Sequence, residues 1–118
     1  MSLRVYAYQG CDTCRKALKF LAEKKVAAEV IAIREQPPTV AELRRMVGYV
    51  GGDLRRLFNT SGGDYKALGM KDRLPAMSEA EALALLAEHG NLVKRPFALG
   101  AKTGAVGFKP EEWARLIA

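Results

Sequence analysis

Two cysteines and one histidine are all that this chain of 118 residues offers a soft metal ion. A closed zinc site takes about four ligands, so the supply within one chain falls short. Hydrophobic runs are equally scarce, being short and broken by charge, which excludes a membrane-spanning helix. The opening Met-Ser-Leu-Arg-Val lacks the apolar centre of a secretory signal, and the expected location is the cytoplasm. That compartment argues against a permanent structural disulfide. Basic residues number nineteen against thirteen acidic ones, a formal charge of +6. They are spread along the chain, and the tightest group, Arg44, Arg45, Arg55 and Arg56, lacks the interleaved aromatics that stack on bases. Direct nucleic-acid binding is therefore not expected. The same charge would suit an anionic substrate such as glutathione or an oxyanion.

What remains is concentrated in one place. Both cysteines fall in Cys11-Asp12-Thr13-Cys14, after the apolar run Leu3 to Tyr8 and at the start of an amphipathic run reaching Lys25. Strand, tight turn and helix are the prediction. On a first helical turn, residues three apart lie ~5 to 6 Å from each other, within the span of a disulfide. Cys11 would stand near the N-cap, where free backbone N–H groups and the helix dipole favour a thiolate. Cys11 is thus the candidate nucleophile and Cys14 the resolving thiol. Asp12 opposes the thiolate, while Arg15 and Lys16 favour it.

With 49% hydrophobic residues, the chain can bury one core, and a single domain over 1–118 is expected. In residues 3 to 8, Leu3, Val5 and Ala7 alternate with Arg4, Tyr6 and Tyr8, so both faces of the strand can be covered. The following helix places Cys14, Ala17, Leu18, Leu21 and Ala22 on one stripe, with Lys24 and Lys25 in its last turn. Residues 28 to 33 read as a second strand, completing a right-handed βαβ unit. Thr39 and Glu42 form a capping box for a helix that Gly48 would stop, and Ser78 and Glu81 form another for a helix ending at His89-Gly90. His89 reads as a cap, not a catalytic base. Between these lie a short helix over Asp53 to Phe58, a loop at 59 to 64 and one helical turn from Tyr65 to Met70. Val93 to Leu99 and Ala105 to Phe108 read as an antiparallel hairpin, and Pro110 starts a last helix anchored by Trp113, Leu116 and Ile117.

The motifs in order narrow the plan. Cys-Asp-Thr-Cys-Arg-Lys-Ala at 11 to 17, Pro-Pro-Thr at 37 to 39, Asn-Thr-x-Gly at 59 to 62, Tyr-x-x-Leu-Gly at 65 to 69, Lys-Arg-Pro at 94 to 96 and Gly-Phe at 107 and 108 together resemble the arsenate-reductase-like family. This family includes glutaredoxin-dependent arsenate reductases, YffB-like proteins and Spx-type transcriptional regulators. The resemblance implies an α/β, thioredoxin-like fold: a βαβ unit and a ββα unit forming a four-stranded mixed sheet, with a helical insertion at about 39–90. It implies catalytic roles for Cys11, Cys14 and Arg95, a cis bond before Pro96, and an anion site made by Thr13, Arg15, Asn59 and Pro96. It also puts two further oxyanion arginines at Asn59 and within Thr103 to Val106, where this chain has none. A tetrahedral oxyanion would lack those charge partners. The function implied is a thiol-disulfide oxidoreductase with no bound cofactor or metal, glutathione as co-substrate, and glutaredoxin or thioredoxin as possible thiol partners. The alternative is an Spx-type redox switch that binds the RNA polymerase alpha subunit near the region of Gly51 and Gly52.

Overall fold

The computed structural model describes residues 3–117. Four short strands form one mixed sheet in the order β2-β1-β3-β4, with β1 at Arg4–Ala7, β2 at Glu29–Ala32, β3 at Phe97–Leu99 and β4 at Gly104–Val106. β1 runs parallel to β2 and antiparallel to β3, and β3 runs antiparallel to β4. This is the expected thioredoxin-like arrangement of a βαβ and a ββα unit.

The period-two alternation sorts the core into two layers. Leu3, Val5 and Ala7, with Ala98 and Ala105, turn to one face. There they meet α1 (Asp12–Glu23) through Cys14, Ala17 and Leu21, and α6 (Pro110–Leu116) through Trp113 and Leu116. Tyr6, Phe97, Leu99 and Val106 turn to the other face, with Ile33 from just beyond β2. They meet α2 (Val40–Tyr49) through Leu43, Met46 and Val47, and α5 (Glu79–Glu88) through Ala82, Leu83 and Leu86. Two smaller helices, α3 (Gly63–Ala67) and α4 (Met70–Arg73), seal the end of this layer with Tyr65 and Met70.

The second layer carries a buried carboxylate. Glu42, 8% exposed, accepts from the Tyr6 hydroxyl at 2.7 Å and from Arg4 Nη1 at 2.9 Å. It also closes the Thr39 capping box, accepting from the Thr39 N–H at 3.0 Å while its own N–H donates to Thr39 Oγ1 at 3.2 Å. Burial pushes this carboxyl up, but the Thr39, Tyr6 and Arg4 donors outweigh it and hold its pKa below the ordinary value. One side chain thereby joins β1 to the start of α2.

Several boundaries differ from expectation, each for a local reason. α2 passes through Gly48 to Tyr49, and the stop is made by left-handed Gly51 and Gly52, whose φ angles are 72° and 83°. Gly52 N–H donates to Val47 O at 2.8 Å, closing the helix end. α1 ends at Glu23, so Lys24 and Lys25 lie beyond its last turn, and Lys25 itself takes the left-handed turn at φ 56°. The third strand is confined to Phe97–Leu99, because Pro96 has no N–H for a ladder. Val93 instead forms an isolated bridge with Phe58. Left-handed Gly107 ends β4 at Val106. The single turn expected from Tyr65 to Met70 is two short helices parted by Gly69 at φ 63°.

Gly90 follows α5 and lies against the chain leaving β2. A β-carbon there would sit 1.9 Å from Ile33 O and 3.0 Å from Arg34 Cα. Only glycine allows that approach.

Candidate active site

The sulfur of Cys11 is the N-cap of α1. Its residue is extended at φ −97° and ψ 117°, and its Sγ accepts from the Cys14 N–H at 3.4 Å. The turn is closed by the Cys11 N–H donating to Tyr8 O at 3.1 Å. Both thiols are free, with Cys11 half-buried and Cys14 buried against Ala17 and the first layer of the core.

Burial pushes the Cys11 thiol up. The Cys14 N–H, the Cys14 thiol and the Arg95 guanidinium outweigh it, so the Cys11 pKa lies below that of an ordinary thiol. Cys14 moves the other way. Burial and the neighbouring Cys11 sulfur push it up to about 12. Cys11 is therefore the more readily ionised of the two thiols, while Cys14 holds its proton at neutral pH.

Arg95 reaches this site from the loop before β3. The Arg95–Pro96 bond is cis, as the resemblance implies, and Pro96 O accepts from the Gly107 N–H at 2.9 Å. Cys11, Cys14 and the Arg95 guanidinium are thus brought together at the start of α1, with Pro96 next to Arg95 in the chain. The Arg15 guanidinium donates to Gln9 O at 3.2 Å, in the turn before Cys11, and pairs with Asp12 on its own helix. That pair takes up the charge of both neighbours of the thiol motif.

Thr13 lines an open cleft of about 490 Å³ beside α1, which Arg55, Arg56, Lys94 and Lys109 face with Asp53. Arg56 is paired with Glu112 at 3.6 Å; the others leave the cleft strongly basic. Thr60 also lines it, whereas Asn59 is folded into its own turn. The Asn59 N–H donates to Leu92 O at 2.7 Å, its carbonyl accepts from Gly62, and its side-chain amide packs on Gly62 so closely that a β-carbon there would lie 2.7 Å from Nδ2. On the opposite side of α1 a second cleft of about 730 Å³ is mainly apolar, lined by Ala7, Cys14, Leu18, Val30 and Ala32.

Sequence reasoning gave no site role to Tyr8, Arg34, Lys94 or Lys109, although Lys94 belongs to the Lys-Arg-Pro motif. The parallel register Ala7↔Ala32 was the available signal for Tyr8 and Arg34, since it sets the two strand ends side by side. The two lysines carry no such signal, because their cleft is assembled from distant segments. Among the described residues no group of His, Cys, Asp and Glu is arranged to hold a metal, and no helix is long and apolar enough to cross a membrane.

Residues 6–116 match the ArsC family. The chain is 45% identical over 113 residues to the uncharacterized protein YusI of Bacillus subtilis (strain 168), covering 96% of each. It is 30% identical to an arsenate reductase of Rhizobium meliloti (strain 1021), covering 95% of this chain and 78% of that one. A global transcriptional regulator Spx of Enterococcus faecalis (strain ATCC 700802 / V583) is 27% identical over 98% of this chain and 86% of its own. Among solved structures, an ArsC family related protein from Bacteroides fragilis superposes with a TM-score of 0.92 at 42% identity, covering 98% of both chains. With the family match over nearly the whole chain and the motifs and sheet order in agreement, the chain belongs to the ArsC family.

Proposed function

We propose that the protein is a cytoplasmic thiol-disulfide oxidoreductase that uses glutathione as co-substrate and Cys11 as nucleophile. The observation that carries this reading is the placing of two adjacent thiols at the start of α1, Cys11 half-buried with its sulfur accepting the Cys14 N–H at 3.4 Å and Cys14 buried behind it. The direction of their shifts, Cys11 down and Cys14 up, agrees with it. The Cys11 thiolate attacks one sulfur of a disulfide, the S–S bond breaks, and the other sulfur leaves as a thiolate that takes a proton from water. The protein then holds a mixed disulfide on Cys11. A glutathione thiolate attacks the Cys11 sulfur, releases the bound thiol and is left on Cys11, from which a second glutathione removes it as oxidised glutathione. Alternatively Cys14, after losing its proton, attacks the same sulfur, releases the bound thiol and closes the Cys11–Cys14 disulfide. If Cys14 resolves it, the internal disulfide is returned to two thiols by two glutathione molecules, which leave as oxidised glutathione, or by a glutaredoxin or thioredoxin. Arg95 stabilises the thiolate at the start and end of the cycle.

Disulfide is favoured over arsenate because Asn59 and the segment Thr103 to Val106 provide no arginine. The Asn59 side-chain amide moreover lies against Gly62 within its own turn. Incubation with oxidised glutathione followed by mass spectrometry tests the reading. A glutathione adduct on Cys11, and loss of glutathione-linked reductase activity in Cys11→Ser, are expected. Full activity in Cys11→Ser would sink the mechanism.

A second reading is a redox switch that binds the RNA polymerase alpha subunit. It is favoured by the similarity to Spx together with the exposed left-handed pair Gly51-Gly52. Pull-down with that subunit's C-terminal domain, using the dithiol and the oxidised protein, separates the two. Binding insensitive to oxidant and to Cys14→Ala removes the switch.

A further inference from the structure

Tyr8 follows the last residue of β1, and its ring folds back over the turn that carries the nucleophile. A β-carbon on Gly10 would lie 2.6 Å from the Tyr8 Cε2, so the ring occupies the space that a side chain at that position would fill. The Tyr8 carbonyl meanwhile accepts the Cys11 N–H. Two guanidiniums lie on this one ring. Arg95 Cζ is 5.1 Å from the ring centroid and Arg34 Cζ is 3.7 Å from it. They come from distant parts of the chain, one before cis-Pro96 and the other after β2.

Arg34 is held in place by its backbone. The preceding Ile33, fully buried, donates its N–H to Ala7 O at 3.0 Å, and Gly90 lies against Ile33 and Arg34 from the other side. Among the described residues neither Arg34 nor Arg95 has a carboxylate within salt-bridge distance. An aromatic face holds a guanidinium by its quadrupole without neutralising it, unlike a carboxylate. Both charges therefore remain available to an incoming anion. Arg95 acts on the Cys11 sulfur and Arg34 shares its ring, whereas Asn59 and the β3–β4 turn bring no arginine.

We propose that Tyr8 is a positioning residue that holds Arg95 at the Cys11 sulfur and keeps Arg34 beside it, making a guanidinium pair that selects substrates with a carboxylate near the reacting sulfur. The substrate class rests on the disulfide reading above, whereas the guanidinium pair does not. The titratable and charged groups around Cys11 and the Tyr8 ring are Cys14, Asp12 and Arg15 from α1, Tyr8 from the end of β1, Arg34 and Glu35 from the segment after β2, and Arg95 from the loop before β3. Of these, Asp12 and Arg15 pair with each other.

Alkylation of Cys11 tests this without any turnover. Rates are measured on the full chain with iodoacetate, an anion, and iodoacetamide, its neutral counterpart, across pH at low salt, with Cys11 labelling assigned by peptide mass spectrometry. Arg34→Ala should lower the iodoacetate-to-iodoacetamide ratio about two- to fivefold, the range of an exposed charge pair. Tyr8→Leu should lower the ratio and move the pH midpoint of the iodoacetamide rate up by about half a unit. Tyr8→Phe should preserve both, because the ring remains. A ratio unchanged in Arg34→Ala overturns the pair, and Tyr8→Phe behaving as a loss overturns the ring as its holder. If Tyr8→Leu does not fold, Arg34→Ala and Tyr8→Phe still decide, since Arg34 is exposed and Phe keeps the ring. A wild-type protein that shows the ratio effect but reduces no disulfide would sink the proposed function and support the pair.

Discussion

Helices α1 and α2 begin with the same device made of different atoms. In α2 the Thr39 oxygen caps the Glu42 N–H at 3.2 Å, and the Glu42 carboxylate returns to the Thr39 N–H. In α1 the Cys11 sulfur caps the Cys14 N–H at 3.4 Å, and the residue at the matching position is a thiol. Oxygen with carboxylate yields a reciprocal lock that fixes β1 to α2. Sulfur with thiol leaves the cap half-made, and the unused helix N–H groups act on the charge of the sulfur instead. The position that stabilises one helix is, in the other, reserved for chemistry.

Substituting the sulfur breaks this contrast most sharply. Cys11→Ser turns the α1 cap into an oxygen cap, and thiol-transfer activity should fall at least about a thousandfold while the melting temperature holds or rises. A melting temperature that drops by several degrees would show that the sulfur is structural. Glu42→Gln attacks the other cap. Losing the charge that Arg4 and Tyr6 face should remove about 1 to 3 kcal/mol of stability in urea unfolding. Because the folded pKa of Glu42 is depressed, its contribution is complete above the ordinary carboxylate value near 4.3. It is lost as pH falls through the lower folded value. The wild-type stability curve should therefore fall below about pH 4.3 more steeply than that of Glu42→Gln. Parallel curves would remove the ionic account.

Arg95→Ala tests the charge on the sulfur. The pH midpoint of Cys11 alkylation should rise by about one unit, and at any fixed pH below the midpoint the reaction should slow by up to about tenfold. An unmoved midpoint would leave the helix end as the sole source of the shift. The smallest effect is expected for Thr39→Ala, about 1 kcal/mol, with the alkylation profile of Cys11 unchanged. If that profile moved, the two caps would be coupled across the sheet and the comparison would fail.

The elements whose signals are local were legible in the sequence. The βαβ unit, both capping boxes and the strand-to-helix setting of the cysteines follow from periodicity and cap residues within a few positions of each other. Gly48 misled because a glycine without left-handed backbone is compatible with a helix, and the true stop lay at Gly51 and Gly52. The strand expected from Val93 was shortened by Pro96 and by the bridge from Val93 to Phe58, a contact no local pattern announces. Arg95 could be placed at Cys11 only through the family resemblance, because the sheet order, not sequence distance, brings them together. Arg15 shows the reverse. Its spacing on the helix suggested the sulfur, but Asp12 and Gln9 O are nearer partners. The Tyr6 hydroxyl on Glu42 was hidden in the same way, since a tyrosine in a strand gives no sign of which helix will meet it.

Gly90 shows how far the site extends into the rest of the chain. Its backbone lies so close to Ile33 and Arg34 that even alanine would force the two segments apart. Position 90 is therefore closed to sequence drift for a reason that neither thiol displays, and an error there would reach the reactive end through the displaced arginine. A search for inherited lesions in this fold should weigh a quiet glycine after α5 alongside the two cysteines.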